Sequence, residues 1–188
     1  QIYRMKIETN IFDFDEGILL ENGTKLSSFK LMVETYGELN ESKSNGVLLC
    51  HAFSGNHHAA GKNADGLVGW WDQLVGPDKA IDTNKFFVVC CNNLGGCSGS
   101  SGPTEINPLS DEIYGKNFPQ VSVEDWVNSQ KMLSDRLGIS KWHLVVGGSL
   151  GGMQALQWAI SYPDFVNKAG ILAAAAKSST QNIAMNEV

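Results

Sequence analysis

Basic residues are outnumbered in this chain, 14 Lys and Arg against 20 Asp and Glu, for a net charge of −6. No stretch gathers the cations into a patch. Nucleic acid and anionic membrane surfaces both select clustered Lys and Arg, so neither is expected as a partner. Long apolar runs are missing too: the one around Ile171 to Ala176 is far short of the roughly 18 residues that span a bilayer. No signal-peptide pattern opens the chain, because Met5-Lys6-Ile7-Glu8 leads into alternating rather than continuous apolar residues. A soluble, cytoplasmic protein is expected, although a start at Gln1 leaves room for a missing N-terminus.

Cysteine is sparse, and Cys50, Cys90, Cys91 and Cys97 have no metal-like spacing. Three of them sit in or beside apolar strand-like runs, where a reduced thiol behaves as a small hydrophobe. A zinc site from Cys90, Cys91, His57 and His58 is disfavoured, since adjacent residues on one strand point to opposite faces. No metal is expected.

What is present is enough for one domain with a real core: 188 residues, 43% hydrophobic and 18% charged. Residues 1 to about 36 alternate apolar and polar, and Asn22-Gly23 is a hairpin signal, read as the antiparallel opening of a sheet that ends at Leu31-Met32-Val33-Glu34-Thr35-Tyr36. Val47-Leu48-Leu49-Cys50 is a continuous apolar run, as in a buried parallel strand. It stops at His51-Ala52-Phe53-Ser54-Gly55, a loop at a strand C-terminal end and hence a candidate active-site wall. Residues 57–69 hold no strong element, and 70–75 offer one helical turn. A second buried strand, 86–91, leads into a glycine-dense loop from Asn92 to Pro103. That loop lacks both the Gly-Lys-Ser/Thr ending of a P-loop and a Gly-x-Gly-x-x-Gly series, so nucleotide binding through either is discounted. It either brings backbone close to a ligand or packs tightly.

Residues 104–120 read as irregular. Ser122 is an N-cap for a helix over 123–137, with Asp125 at N3 and Gly138 at C′. A strand over 142–146 follows, then a helix, the Tyr162-Pro163-Asp164 break, and a last strand near 169–172. Strands alternating with helices predict an α/β fold: a mostly parallel sheet, an antiparallel N-terminal hairpin, and helices on both faces.

The informative stretch is Leu144-Val145-Val146-Gly147-Gly148-Ser149-Leu150-Gly151-Gly152-Met153. A β-branched run meets Gly-x-Ser-x-Gly, and a helical pattern follows. A nucleophile at such a turn sits in strained backbone, and glycines at 147 and 151 let neighbouring backbone pass close by. Ser149 is the candidate nucleophile; the alternative is a glycine-rich turn with an ordinary capping serine. A serine hydroxyl needs a base and an oxyanion hole. In this architecture the order is serine, acid, histidine, yet all four histidines, His51, His57, His58 and His143, precede Ser149. Either the chain is the N-terminal part of a longer enzyme, or it lacks hydrolase-type catalysis. Residues 180–188 read as an amphipathic helix broken off, which favours the first. An isolated piece of this kind is expected to be inactive and poorly stable, its last strand lacking a neighbour. The backbone N–H groups of Leu150 and Phe53 are the candidate oxyanion donors. His51 is expected to hydrogen-bond structurally, and Asp164 to be a surface turn residue.

Several ordered blocks resemble the homoserine O-acyltransferases of the α/β-hydrolase fold: Tyr36-Gly37-Glu38-Leu39-Asn40, His51-Ala52-Phe53-Ser54-Gly55, Asn93-Leu94-Gly95-Gly96-Cys97 through Gly102-Pro103, Gly147 to Gln154, and Gln181-Asn182-Ile183-Ala184. The resemblance implies a single α/β-hydrolase domain of which residues 1–188 are the N-terminal portion. It implies acyl transfer from acyl-CoA, acetyl-CoA first and succinyl-CoA second, to the hydroxyl of L-homoserine in methionine biosynthesis. Acyl-CoA would be a co-substrate and no cofactor is bound permanently; the full-length protein is expected to be a homodimer. The family commonly has leucine and threonine where this chain has Phe53 and Ser54. Other readings are a serine esterase or serine O-acyltransferase of the same fold, and a non-catalytic binding domain.

Overall fold

The computed structural model describes residues 5–186. The sheet has six strands: β1 (Ile7–Phe14), β2 (Phe29–Tyr36), β3 (Gly46–Cys50), β4 (Phe87–Cys91), β5 (Leu144–Gly148) and β6 (Ala169–Leu172). Their order across the sheet is β1-β2-β4-β3-β5-β6. The first two pair antiparallel with each other, β2 runs antiparallel to β4, and the other neighbours are parallel. Two long helices follow β4 and β5: α1 (Val123–Leu137) and α2 (Leu150–Ser161); a short α3 (Thr180–Asn186) follows β6. No helix among the described residues is long and apolar enough to cross a membrane.

Strand alternation splits the core in two. Leu48, Cys50, Val89, Cys91 and Val145 face one side with Val127 and Leu133 of α1 and Ala155 and Trp158 of α2. Val47, Leu49, Val88, Cys90 and Val146 face the other, against Ala59, Ala60 and Val75. Cys90 and Cys91 thus lie on opposite faces, and no group of three or more metal-ligating side chains occurs among the described residues.

The fold class is the expected one, with one correction: both long helices pack on the same face. The other face is covered by the irregular segment between β3 and β4. That segment is broken by Gly55, Gly61, Gly66 and Gly69, and a Cβ on Gly69 would lie 2.2 Å from the Ala59 carbonyl carbon. Backbone packs on backbone there, where a helix would stand its side chains off. The cover is pinned by a buried polar cluster. Glu34 Oε1 lies 2.7 Å from His58 Nδ1, the other His58 nitrogen meets the Leu67 carbonyl at 3.0 Å, and the Tyr36 hydroxyl donates to Glu34 while accepting from the backbone of Ala59 and Ala60.

Helix α1 occupies the predicted residues. Ser122 Oγ accepts from the Asp125 N–H and Asp125 accepts from the Ser122 N–H, a full capping box, and Gly138 closes the helix at φ 71°. The Asn22-Gly23 hairpin exists as two-residue strands, Ile18–Leu19 with Lys25–Leu26, but stands apart from the main sheet, whose antiparallel opening is β1 with β2. The Glu21 N–H donates to the second oxygen of Asp125 at 2.8 Å, so the hairpin docks on the α1 cap instead. The strand expected over 142–146 begins at Leu144, because the Trp142 side chain is buried below the sheet and its backbone bonds to Phe165. Residues 104–120 are less irregular than expected, with a ribbon of Ile106–Asn107 and Glu112–Ile113 and a 3-10 turn, Gly115–Asn117. Residues 1–4 of the alternating N-terminal run and residues 187–188 of the final helix lie outside the described residues.

Candidate active site

Strand β5 delivers the chain to Ser149 at the C-terminal end of the sheet, and α2 leaves from the next residue. Ser149 has φ 53° and ψ −121°, a conformation that costs a non-glycine residue on the order of 1–3 kcal/mol. The surroundings impose it. A Cβ on Gly147 would sit 2.3 Å from the Gly151 oxygen, and one on Gly151 would sit 2.0 Å from the Cys50 oxygen. The turn is therefore clamped between the end of β3 and the first turn of α2. Ser149 is exposed, and its side chain makes no capping hydrogen bond to α2. Its own N–H is held by the Leu172 carbonyl at 2.9 Å. The capping-serine alternative fails on this geometry, and a free hydroxyl at the helix N-terminus remains.

Leu150 and Phe53, the two expected oxyanion donors, line one cavity of about 480 Å³ together with His51, Asn93, Cys97 and Trp126. The Leu150 N–H is at the first position of α2, where a helix offers no internal acceptor. The Phe53 side chain is 91% exposed at the mouth of this cavity.

His51 does what its position suggested. Its Nδ1–H donates to the Ala52 carbonyl at 2.8 Å, and its Nε2 accepts from the Asn93 N–H at 3.0 Å. The ring thereby ties the Phe53 loop to the loop after β4. Burial holds its pKa below the ordinary 6.5 and keeps it neutral. With both nitrogens engaged it is not a base for Ser149. His58 is committed to Glu34 on the far face; His57 sits beside that pair, its pKa also lowered by burial. His143 packs against Phe86 in a tilted ring contact at the opposite end of β5, roughly 20 Å of strand from Ser149. Asp164 is an exposed turn residue, as expected. Among the described residues no histidine is placed to take the Ser149 proton.

The glycine-dense loop packs tightly on itself and on β2. Gly95 N–H donates to the Ser101 carbonyl at 2.7 Å, a Cβ on Gly102 would meet the Gly96 oxygen at 2.4 Å, and Ser100 and Ser101 hydroxyls accept from the backbone of Met32 and Lys30. Its outer side, including exposed Cys97, walls the cavity. Sequence reasoning missed the buried polar groups beneath the site, Gln130 and Gln154, both at most 1% exposed. The available signal was a glutamine at position 130, in helical register with Val127 and Ser134 on the buried face of α1.

A strained serine between strand and helix, on a mostly parallel sheet with an antiparallel opening, defines the α/β-hydrolase class. The chain belongs to that family: a family model for the alpha/beta hydrolase fold matches residues 45–187. Within it, the chain is 62% identical over 177 residues to a homoserine O-succinyltransferase of Neisseria gonorrhoeae, covering 93% of this chain and 47% of that protein. The chain spans about half the length of the curated relatives it matches. Among solved structures it resembles an esterase (TM-score 0.90, 39% identity, 97% of this chain and 51% of that one). It also resembles a homoserine O-acetyltransferase from Bacillus anthracis (TM-score 0.78, 40% identity, 86% and 44%).

Proposed function

We propose that the full-length protein is a homoserine O-acyltransferase of methionine biosynthesis that works through an acyl-enzyme on Ser149. The observation that carries this is the clamped, exposed Ser149 beside a cavity walled by Leu150 and Phe53, in a chain 62% identical to a protein named for that transfer. Ser149 Oγ attacks the thioester carbonyl of acyl-CoA, its proton passing to a base. The carbonyl oxygen becomes an oxyanion facing the N–H groups of Leu150 and Phe53. The C–S bond then breaks and the sulfur leaves as CoA thiol, taking a proton. The homoserine hydroxyl attacks the resulting ester, giving O-acylhomoserine and restoring Ser149. The base and its orienting acid belong, in this reading, to the part of the full-length protein outside this chain.

The names of the relatives shift the expected donor: those at 62% and 58% identity are called homoserine O-succinyltransferases, so succinyl-CoA is placed ahead of acetyl-CoA. The likeness to an esterase keeps hydrolysis as the second reading, in which water replaces homoserine as acceptor. Steady-state rates of the full-length protein with succinyl-CoA and acetyl-CoA, each with and without L-homoserine, test this directly. The proposal expects CoA release to depend on homoserine and to be faster with succinyl-CoA. Equal release without homoserine would make the protein a hydrolase.

A further inference from the structure

Below the catalytic turn runs a chain of side-chain hydrogen bonds with a fixed direction. The Trp158 indole N–H, fully buried in α2, is a donor only and meets Gln130 Oε1 of α1 at 2.7 Å. That orients the Gln130 amide, so its Nε2 donates to Gln154 Oε1, also at 2.7 Å. Gln154 is in turn oriented, and its Nε2 is aimed at two backbone carbonyls, those of His51 at 3.3 Å and Leu150 at 3.5 Å. Flipping the Gln130 amide would set donor against donor at Trp158, and flipping Gln154 would do so at Gln130. The two carbonyls at the end of the chain belong to the two backbone segments that carry the Phe53 and Leu150 N–H groups.

From this relay we infer that Gln154 is a positioning residue of the oxyanion hole: it fixes the separation between the loop bearing the Phe53 N–H and the helix turn bearing the Leu150 N–H. The inference rests on the reading of Ser149 as nucleophile. A hole made of two donors on different elements works only if both point at the developing oxyanion at once, and donors preorganised in this way need no rearrangement during the reaction. The His51 ring braces its loop from the side of β4; Gln154 braces it from the side of α2. Since Gln154 is fully buried, it touches no substrate.

The test is Gln154→Met in the full-length protein, which keeps the length of the side chain and removes the donor. Turnover is measured per active serine, counted by fluorophosphonate labelling carried to completion, so that loss of folded protein does not count as loss of rate. Removing an oxyanion donor outright costs about 10²–10³ in kcat; displacing one is expected to lower kcat by roughly tenfold or more while KM for the acyl donor stays within about twofold. Gln130→Met, which leaves Gln154 in place but free to turn, is expected to lower kcat in the same direction by less, and serves if Gln154→Met does not fold. Unchanged kcat per active serine in the variant that folds, or a change confined to KM, overturns the inference. Ser149→Ala is run alongside. If that variant still forms the acyl adduct, the nucleophile reading itself fails; if it does not and the glutamine variants turn over normally, only the positioning role fails.

Discussion

Two side chains carry predictions of their own. His51 is neutral in the fold, with Nε2 accepting from Asn93, and its pKa is held below 6.5 by burial. The unfolded chain takes up a proton near pH 6.5 while the folded one resists until lower pH. The unfolded state then binds more protons, and stability falls as pH is lowered through and below that value. Urea midpoints of the full-length protein between pH 8 and 5 should therefore decline on the acid side. His51→Gln should flatten the decline in part, leaving the share of His57, whose pKa burial also lowers. A steeper decline in the variant would contradict this account of His51. Cys97 makes the second prediction. It is exposed on the cavity wall, whereas Cys50, Cys90 and Cys91 are buried and burial pushes their thiols up. Of these four, native labelling with a maleimide should modify Cys97 alone, mapped by peptide mass. The attached group should then slow acylation of Ser149.

At the scale of elements, the fold is held by where backbone meets backbone. Gly151→Ala would place a methyl 2.0 Å from the Cys50 oxygen, while Gly23→Ala meets nothing within 4 Å and bears only its φ of +84°. Gly23→Ala should cost about 1 kcal/mol. Gly151→Ala should cost several times more, because the β3 end and the first turn of α2 have to separate; equal denaturant midpoints for the two would refute the clamp. Much of this level was legible in the sequence. The α1 helix could be read from Ser122, Asp125 and Gly138, because caps are local. Strands β3 and β4 could be read because both faces are buried, and the Ser149 turn because its glycines are spaced by sterics. Less legible was anything decided by distant partners. Nothing near Asn22-Gly23 says that Asp125, far along the chain, will take the Glu21 N–H and draw the hairpin off the sheet. Likewise, nothing within residues 57–69 says that an irregular cover can replace a helix, since that depends on Glu34 and Tyr36 across the sheet. The roles of Gln130 and Gln154 emerge only when α1 and α2 are seen packed together.

For the whole molecule, the described residues bring the Ser149 turn and both candidate oxyanion donors to one cavity, while His51 and His58 are committed to other partners and His143 lies at the opposite end of β5. Strand β6 lies at the edge of the sheet with Ile171 and Leu172 40% and 47% exposed, the kind of open edge that other chain normally covers. Everything proposed for this site requires that Ser149 form the covalent intermediate. The most direct measurement is the intact mass of the full-length protein after brief incubation with succinyl-CoA, without homoserine, followed by peptide mapping. One added succinyl group is expected on the peptide containing Ser149, lost on addition of L-homoserine and absent in Ser149→Ala. An adduct that persists in Ser149→Ala, or one mapped to any other residue, would contradict it.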